Sequence, residues 1–386
     1  MTKNKNIGFA VFMSAVIALT IGISSVSFRR QLVTEPIMEG PGVSEVKHLS
    51  DYFGGLKGTA GDSAVYVLDS GVPGGTFIVM GGTHPTEPAS VVASVVLVEN
   101  AEVTKGKLIV VPHSNLSGFS WTEPGQGHAP FFVIDTEHGG RYFRYGGRGT
   151  NPIHQWPDPD MYLHYPSGQS LAADEIRNLN RAHPGNPDGR LTQKVAYAFR
   201  RMIEAESADI IIDQHEAPPE KPLVNAVAVH QRALDLSSWV SMELESRGIP
   251  MRVEASPPGL HGFSHREYGD FTNVLAILSE TPNPSQGSIR GRTDEKLVLS
   301  GSDAMYDEIW RSKTLKLCYE DGGVPMEYRV GRNLETVCQY ALSYSEENPE
   351  RAIEIINVPA FDELAEYGIG SYLLPVTQQL SNTYQK

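Results

Sequence analysis

Two histidines and two glutamates stand in this chain where short apolar runs end. His84 and Glu87 lie in Gly81-Gly82-Thr83-His84-Pro85-Thr86-Glu87-Pro88, directly after the run Thr76 to Met80. A neutral imidazole and a carboxylate three residues apart can face one point, which is how two ligands of a catalytic zinc are usually presented. His215 comes at the end of a second run, Asp209-Ile-Ile-Ile-Asp213-Gln214-His215-Glu216. If both ends emerge on the same sheet edge, His84, Glu87 and His215 make a His2Glu set that leaves the fourth zinc position for water. Asp213 can then sit behind the set as an acceptor, or pair with backbone. Glu280 ends a third run, Val274 to Leu278, and Pro282 stops that strand at once. Hydrolysis at a zinc needs a base to take a proton from water and return it to the leaving amine, and Glu280 is the candidate. Each piece also has a plainer reading, a surface turn for His84-x-x-Glu87 and a turn cap for Glu280. Their joint occurrence in this order weighs against it.

A fourth piece, Asn178-Leu179-Asn180-Arg181-Ala182-His183-Pro184-Gly185, precedes the helix that leads to His215. Arginine beside asparagine makes a planar, multi-donor clamp for a carboxylate.

The elements that must position these residues alternate short β-rich runs with helical periodicity. Ala64 to Asp69, Thr76 to Met80, Lys107 to Val111, Asp209 to Asp213, Val224 to His230 and Val274 to Ser279 read as strands, several apolar on both faces. Continuous apolar strands imply a covered sheet. Val195, Ala198, Phe199, Met202 and Ile203 follow helical spacing, as do Leu236, Trp239, Val240 and Leu244. Pro88 to Glu99 is ambiguous: proline suits a first helical turn, whereas Val91, Val92, Val95 and Val96 favour a strand. The pattern predicts a single α/β domain with a mixed, largely parallel twisted sheet and helices on both faces, with sites at the carboxyl ends of strands. A long loop-rich insertion runs from about 112 to 189.

The chain has 386 residues and a formal net charge of −14, without the clustered Lys and Arg that hold a nucleic-acid backbone, so no nucleic-acid partner is expected. Lys3 and Lys5 precede a charge-free stretch from Ile7 to Phe28 closed by Arg29 and Arg30. Residues 1–30 are therefore expected to be a signal peptide or signal anchor, with membrane attachment through residues 7–28 and the catalytic domain exported, periplasmic or extracellular. A leader (31–62), the hydrolase domain (63–345) and a C-terminal extension (346–386) follow. Cys318 and Cys338, the two cysteines, supply neither a disulfide framework nor a cysteine zinc site, and read equally as a pair or as two buried thiols. The chain has no Gly-x-Ser-x-Gly elbow and no His-Glu-x-x-His helix motif.

Taken in order, the four pieces resemble the zinc carboxypeptidase superfamily, and within it the succinylglutamate desuccinylase and aspartoacylase branch. The resemblance runs from about Ala64 to Thr281. It rests on Gly-Gly-Thr-His84-Pro-Thr-Glu87-Pro, Leu179-Asn180-Arg181-Ala-His-Pro-Gly, Ile-Ile-Asp213-Gln-His215 and Ser279-Glu280-Thr281. It implies His84, Glu87 and His215 as ligands of one zinc ion per chain, Glu280 as general base and acid, and Asn180 with Arg181 gripping a carboxylate of a small-molecule or peptide substrate. It also implies an arginine that stabilises the oxyanion. Arg144 and Arg148 rank above Arg141 and Arg177 for that role. The expected activity is zinc-dependent amide hydrolysis, deacylation of an N-acyl amino acid or a related carboxylate-bearing substrate. Carboxypeptidase action on a peptide or cell-wall peptide is the alternative, and a non-catalytic binding protein on the same fold is a second one. Pro85, Thr86, Asn178 and His183 depart from the family pattern and leave the substrate open. Among other candidates, His261 and His265, Tyr268 and His113 each have a substrate-facing reading and a packing one.

Overall fold

The computed structural model describes residues 2–123 and 128–376. Eight strands form one sheet: β1 (Glu45–His48), β2 (Ala64–Asp69), β3 (Thr76–Met80), β4 (Lys107–Val111), β5 (Ile210–Ala217), β6 (Ala226–Val229), β7 (Arg252–Ala255) and β8 (Leu275–Pro282). Their order is β1-β2-β4-β3-β5-β8-β6-β7. The four central strands, β4, β3, β5 and β8, are mutually parallel. Antiparallel pairings join β2 to β4 and β1 to β2 on one side and β6 to β8 on the other, and β7 pairs parallel to β6. The mixed, largely parallel sheet expected from the apolar runs is therefore present.

The runs are apolar on both faces because each face meets a different layer. Successive strand side chains point to opposite sides. Phe77, Val79, Leu108, Val110, Ile210 and Ile212 pack in one cluster, while Ile78, Met80, Ile109, Val111 and Ile211 pack in another. The first cluster holds α2 (Pro88–Asn100), α4 (Leu234–Ser246) and α6 (Met326–Glu347), and the second holds α3 (Leu191–Ala205), with Tyr268 of α5 (Ser264–Phe271). The valine-rich segment after Glu87 is thus a helix. It is buried on all sides from Pro88 to Glu99, so packing overrides the strand preference of its side chains.

Strand pairing runs across both expected boundaries. Within the 31–62 leader, β1 is an edge strand of the main sheet, and Lys47 on it meets Glu206 at the end of α3 at 3.0 Å. Glu206 also accepts from Lys107 and from the Tyr52 hydroxyl. The stretch after 345 is equally woven in: Glu354–Ile356 pairs with Glu102–Lys105, and Leu364, Ile369 and Leu373 join the first core cluster. Chain on either side of residues 63–345 thus packs into the same body. Ahead of the body stands α1 (Thr2–Arg30), whose described side chains are exposed and whose residues Asn6–Arg30 are long and apolar enough to cross a membrane. Cys318 and Cys338 are free thiols, so the pairing alternative does not hold.

Candidate active site

The site forms where the central parallel strands end. Register places Met80 of β3 opposite Asp213 of β5, and His215 of β5 opposite Glu280 of β8. Neighbours in register on parallel strands project to the same face, so His215 and Glu280 share a face, and Asp213, two residues before His215, shares it too. That is the α3 and α5 face. Gln214 and Glu216 point the other way, where Gln214 Nε2 donates to the carbonyl of Asn333 and Glu216 pairs with Arg329 of α6 at 2.9 Å.

From β3 the chain turns through Gly81 and Gly82 into His84. Gly82 has φ +62°, and a Cβ there would lie 2.7 Å from the Pro112 carbonyl and 2.8 Å from the Phe119 ring. Only glycine fits both the backbone and the space. The following turn ends at Glu87, which caps α2, with Pro88 opening the helix. His84 and Glu87 are thereby held on one loop facing the end of β5.

His84, Glu87 and His215 are all buried, and one ligand atom from each lies within 4.8 Å of the others. His84 Nδ1 is 2.8 Å from Glu87 Oε1, His215 Nδ1 is 2.8 Å from Glu87 Oε2, and the two Nδ1 atoms are 3.2 Å apart. Two imidazole nitrogens facing each other at that distance cannot both carry hydrogen, and a cation between them satisfies both lone pairs and the carboxylate at once. Metal–ligand bonds of about 2.0–2.2 Å separate tetrahedral ligand atoms by roughly 3.4 Å, somewhat wider than the 2.8, 2.8 and 3.2 Å found here. The donor set fits a divalent metal of the nitrogen- and oxygen-preferring kind.

Polar groups stand behind the remaining ring nitrogens, as they do behind ligand histidines. His84 Nε2 lies 2.8 Å from Asn178 Oδ1, and Asn178 Nδ2 donates to Glu175. His215 Nε2 lies 2.9 Å from Asp213 Oδ2, and Asp213 accepts from the hydroxyls of Thr83 at 2.7 Å and Ser264 at 2.6 Å. The electrostatics follow from this packing. Burial, with Arg148 nearby, depresses His84 to about 4. Burial also works against a charged His215, but Asp213 and Glu87 outweigh it and hold that imidazole well above its ordinary value. Glu87 is held well below the carboxylate range; its burial opposes ionisation, and the two histidines outweigh it.

Glu280 faces this cluster with Oε2 buried and without a hydrogen-bond partner. Burial pushes its carboxyl up to about 8; His215 and Arg148 pull it down, while Glu87 and Asp213 raise it further. Arg148 Nη1 donates to Glu87 Oε1 at 3.0 Å, and its side chain keeps 43% of its surface exposed. Arg144 is not brought here. Its guanidinium donates to the carbonyls of Gln31, Pro130 and Tyr145 and to the Thr122 hydroxyl, which leaves it a structural role. Arg141 and Arg177 are likewise engaged elsewhere, with Glu99 and Asp158.

Asn180 is buried and Arg181 half-buried. Asn180 Oδ1 accepts from the Ser264 amide, and the Arg181 guanidinium stacks 4.0 Å over the Phe263 ring while Nη1 donates to the Asn180 carbonyl. Burial, and next the Glu175 carboxylate acting the other way, set Arg181 below its ordinary value, with Arg148 and Glu280 also felt. Three further candidates take packing roles. Tyr268 is buried with its hydroxyl on the Ala196 carbonyl, His113 binds Glu35 at 2.8 Å, and His265 is buried beside Phe263. Thr83, Asn178, Glu175 and Ser264 were not singled out as functional from their types. Only the places of Thr83 next to His84 and of Asn178 at the head of the Asn-Arg motif hinted at them.

No family model matches the chain, and no curated protein matches it. Among solved structures it is similar to a succinylglutamate desuccinylase from Silicibacter sp. TM1040, with 20% identity over 59% of this chain and 55% of that one and a TM-score of 0.38. An ectoine utilization protein from Ruegeria pomeroyi gives 21%, 59%, 55% and 0.38. A metallo-carboxypeptidase from Burkholderia cenocepacia gives 12% identity over 80% of this chain and 66% of that one, with a TM-score of 0.45. Both kinds of protein named by the sequence resemblance are thus among the structures it is similar to. The match spans little more than half the length of the first two. With every score below 0.5, none of these likenesses assigns a role to a residue of this chain.

Proposed function

We propose that the protein is a zinc-dependent amide hydrolase in which His84, Glu87 and His215 hold the metal and Glu280 is the general base and acid. One observation carries the reading. A half-buried carboxyl with one buried, unpartnered oxygen stands in strand register with a member of a convergent His2Glu set.

A divalent ion in that set supplies Lewis-acid polarisation of a carbonyl and lowers the pKa of water. Glu280, as a carboxylate favoured by the neighbouring positive charge, would take a proton from the attacking water as the water oxygen bonds to the carbonyl carbon, then return it to the nitrogen as the carbon–nitrogen bond breaks. Arg148, with one bond to Glu87 and much of its side chain free, is placed to stabilise the developing oxyanion. Arg181, pre-oriented by Phe263, and Asn180 grip a substrate carboxylate. We assign the substrate to N-acyl amino acids or related carboxylate-bearing amides. A peptide substrate is the second reading. It is favoured by α1, which suits export or anchoring with the body outside the cytoplasm, where peptides rather than catabolic acyl-amino acids are met.

Metal content and hydrolysis of released-amine panels, measured on wild type and on Glu280→Gln, test this. Zinc retained with kcat reduced roughly 10²–10⁴-fold is expected. Unchanged hydrolysis with zinc bound overturns the role of Glu280, and no hydrolysis by zinc-loaded wild type on either panel favours a binding protein.

A further inference from the structure

Arg181, assigned above to a substrate carboxylate, has an acidic neighbour. Its Nη1 donates to the Asn180 carbonyl at 2.7 Å and its plane rests on the Phe263 ring, while Nη2 makes no hydrogen bond among the described residues. Beside it, on the short turn Ala173–Arg177, Glu175 brings Oε2 to 3.9 Å from Arg181 Nε, too far for a hydrogen bond. That oxygen is already held at 2.7 Å by Asn178 Nδ2, the amide group behind His84. Glu175 Oε1 makes no hydrogen bond among the described residues, and 33% of the side chain is exposed. An uncommitted donor of the guanidinium and an uncommitted acceptor of the carboxylate are therefore neighbours in the clamp.

This pairing limits what the clamp can accept. An arginine alone takes any carboxylate. With Glu175 next to it, a second anionic group on the substrate meets a like charge at short range, whereas a cation meets an unused acceptor. Arg148 is balanced in the same way, since its guanidinium pairs with Glu87 and its amide donates to Glu123. The two arginines therefore do not add up to a basin for two carboxylates.

We propose that Glu175 determines specificity and that the amine half of the substrate is a basic amino acid, with its carboxylate on Arg181 and Asn180 and its side-chain cation on Glu175 Oε1. The assignment deepens the hydrolase reading and rests on it for the clamp. It holds whether the acyl half is a small acid or a peptide.

Matched amides decide it: Nα-acetyl-lysine, Nα-acetyl-norleucine and Nα-acetyl-glutamate, with peptides ending in the same three residues, given to the zinc-loaded full chain. Norleucine differs from lysine by the ammonium alone, and a hydrogen bond to a charged group should favour lysine in kcat/KM by about 10–100-fold. The glutamate members should be the poorest. In Glu175→Gln, which keeps an acceptor for Asn178, the lysine-to-norleucine ratio should fall to near one, and Glu175→Asp should keep part of it. If Glu175 acted only by supporting Asn178 and His84, its loss would slow every member alike and leave the ratio unchanged. That result, or a wild-type ratio near one, overturns the proposal. Should the loaded protein turn over no member, the hydrolase reading fails, and calorimetric binding of acetyl-lysine and acetyl-norleucine still judges Glu175. Equal affinities in wild type overturn its role, and tighter binding of acetyl-lysine that is lost in Glu175→Gln upholds it.

Discussion

At the scale of single residues, the most consequential number is the carboxyl of Glu280, pushed up to about 8 chiefly by burial. In the metal-free protein the native state then keeps a proton that the unfolded chain releases near 4.5. Between those values the native state binds more protons, so stability falls as pH rises, and the loss is complete above about pH 8. Glu280→Gln removes that proton linkage. The metal-free variant is expected to unfold at higher urea than metal-free wild type at pH 8, with the difference vanishing near pH 4, as equilibrium denaturation at both values will show. A larger advantage at pH 4 would contradict the raised carboxyl. If His84, Glu87 and His215 hold a cation as proposed, it favours the carboxylate, and the ascending limb of kcat/KM against pH should fall below pH 8. The four residues proposed as ligands and base were legible because metal ligands and general bases are chemically narrow types placed at strand ends. The arginine was not. Arg144 and Arg148 sit four apart in one glycine-rich stretch, and the choice is made by the Gln31 and Pro130 carbonyls, which capture Arg144 from distant parts of the chain.

At the scale of elements, the alternation that shows the sheet also shows what holds β5 against α6. Glu216 points away from the site and is fully buried with Arg329; burial outweighs the arginine and sets its carboxyl at about 6. Its backbone amide donates to Glu87, so the pair steadies the strand that presents His215. Arg329→Met strands the carboxylate and is expected to cost about 3–5 kcal/mol at pH 8, where Glu216 is ionised. At pH 5 the cost should shrink, because Glu216 is already largely protonated in wild type. Adding Glu216→Gln should recover part of the loss. Urea midpoints of the single and double variants at both pH values measure this, and equal loss at pH 5 and pH 8 would deny the charge its part. Periodicity foretold α3 and α4 because each has a polar face. It left α2 open because a helix buried on every side has no polar face to mark its period.

At the scale of the whole molecule, composition divided the chain too neatly. The apolar run at the amino end is a separate exposed helix, as its lack of charge implied, but the polar leader after it is built into the body. The leader's contacts are too few and too far apart in sequence to show as a pattern. Glu35 is buried against His113 and receives the Arg144 amide, the Pro36 carbonyl takes Arg141, and the Gly40 amide reaches the Val98 carbonyl. This sets a sharp limit for shortening the chain. A protein beginning at Gln31 keeps each of these bonds and loses only α1. It should be recovered in the soluble rather than the membrane fraction, with the zinc content and urea midpoint of the full chain. A protein beginning at Gly42 leaves His113, Arg141 and Arg144 each short of a buried partner. With each buried group left unsatisfied costing about 1–3 kcal/mol, the loss should exceed about 2 kcal/mol and carry through Arg144 into the segment that bears Arg148. Urea unfolding of the two shortened proteins separates the cases: equal midpoints would show that residues 31–41 are a passive linker, and a loss confined to the shorter protein that they belong to the folded body.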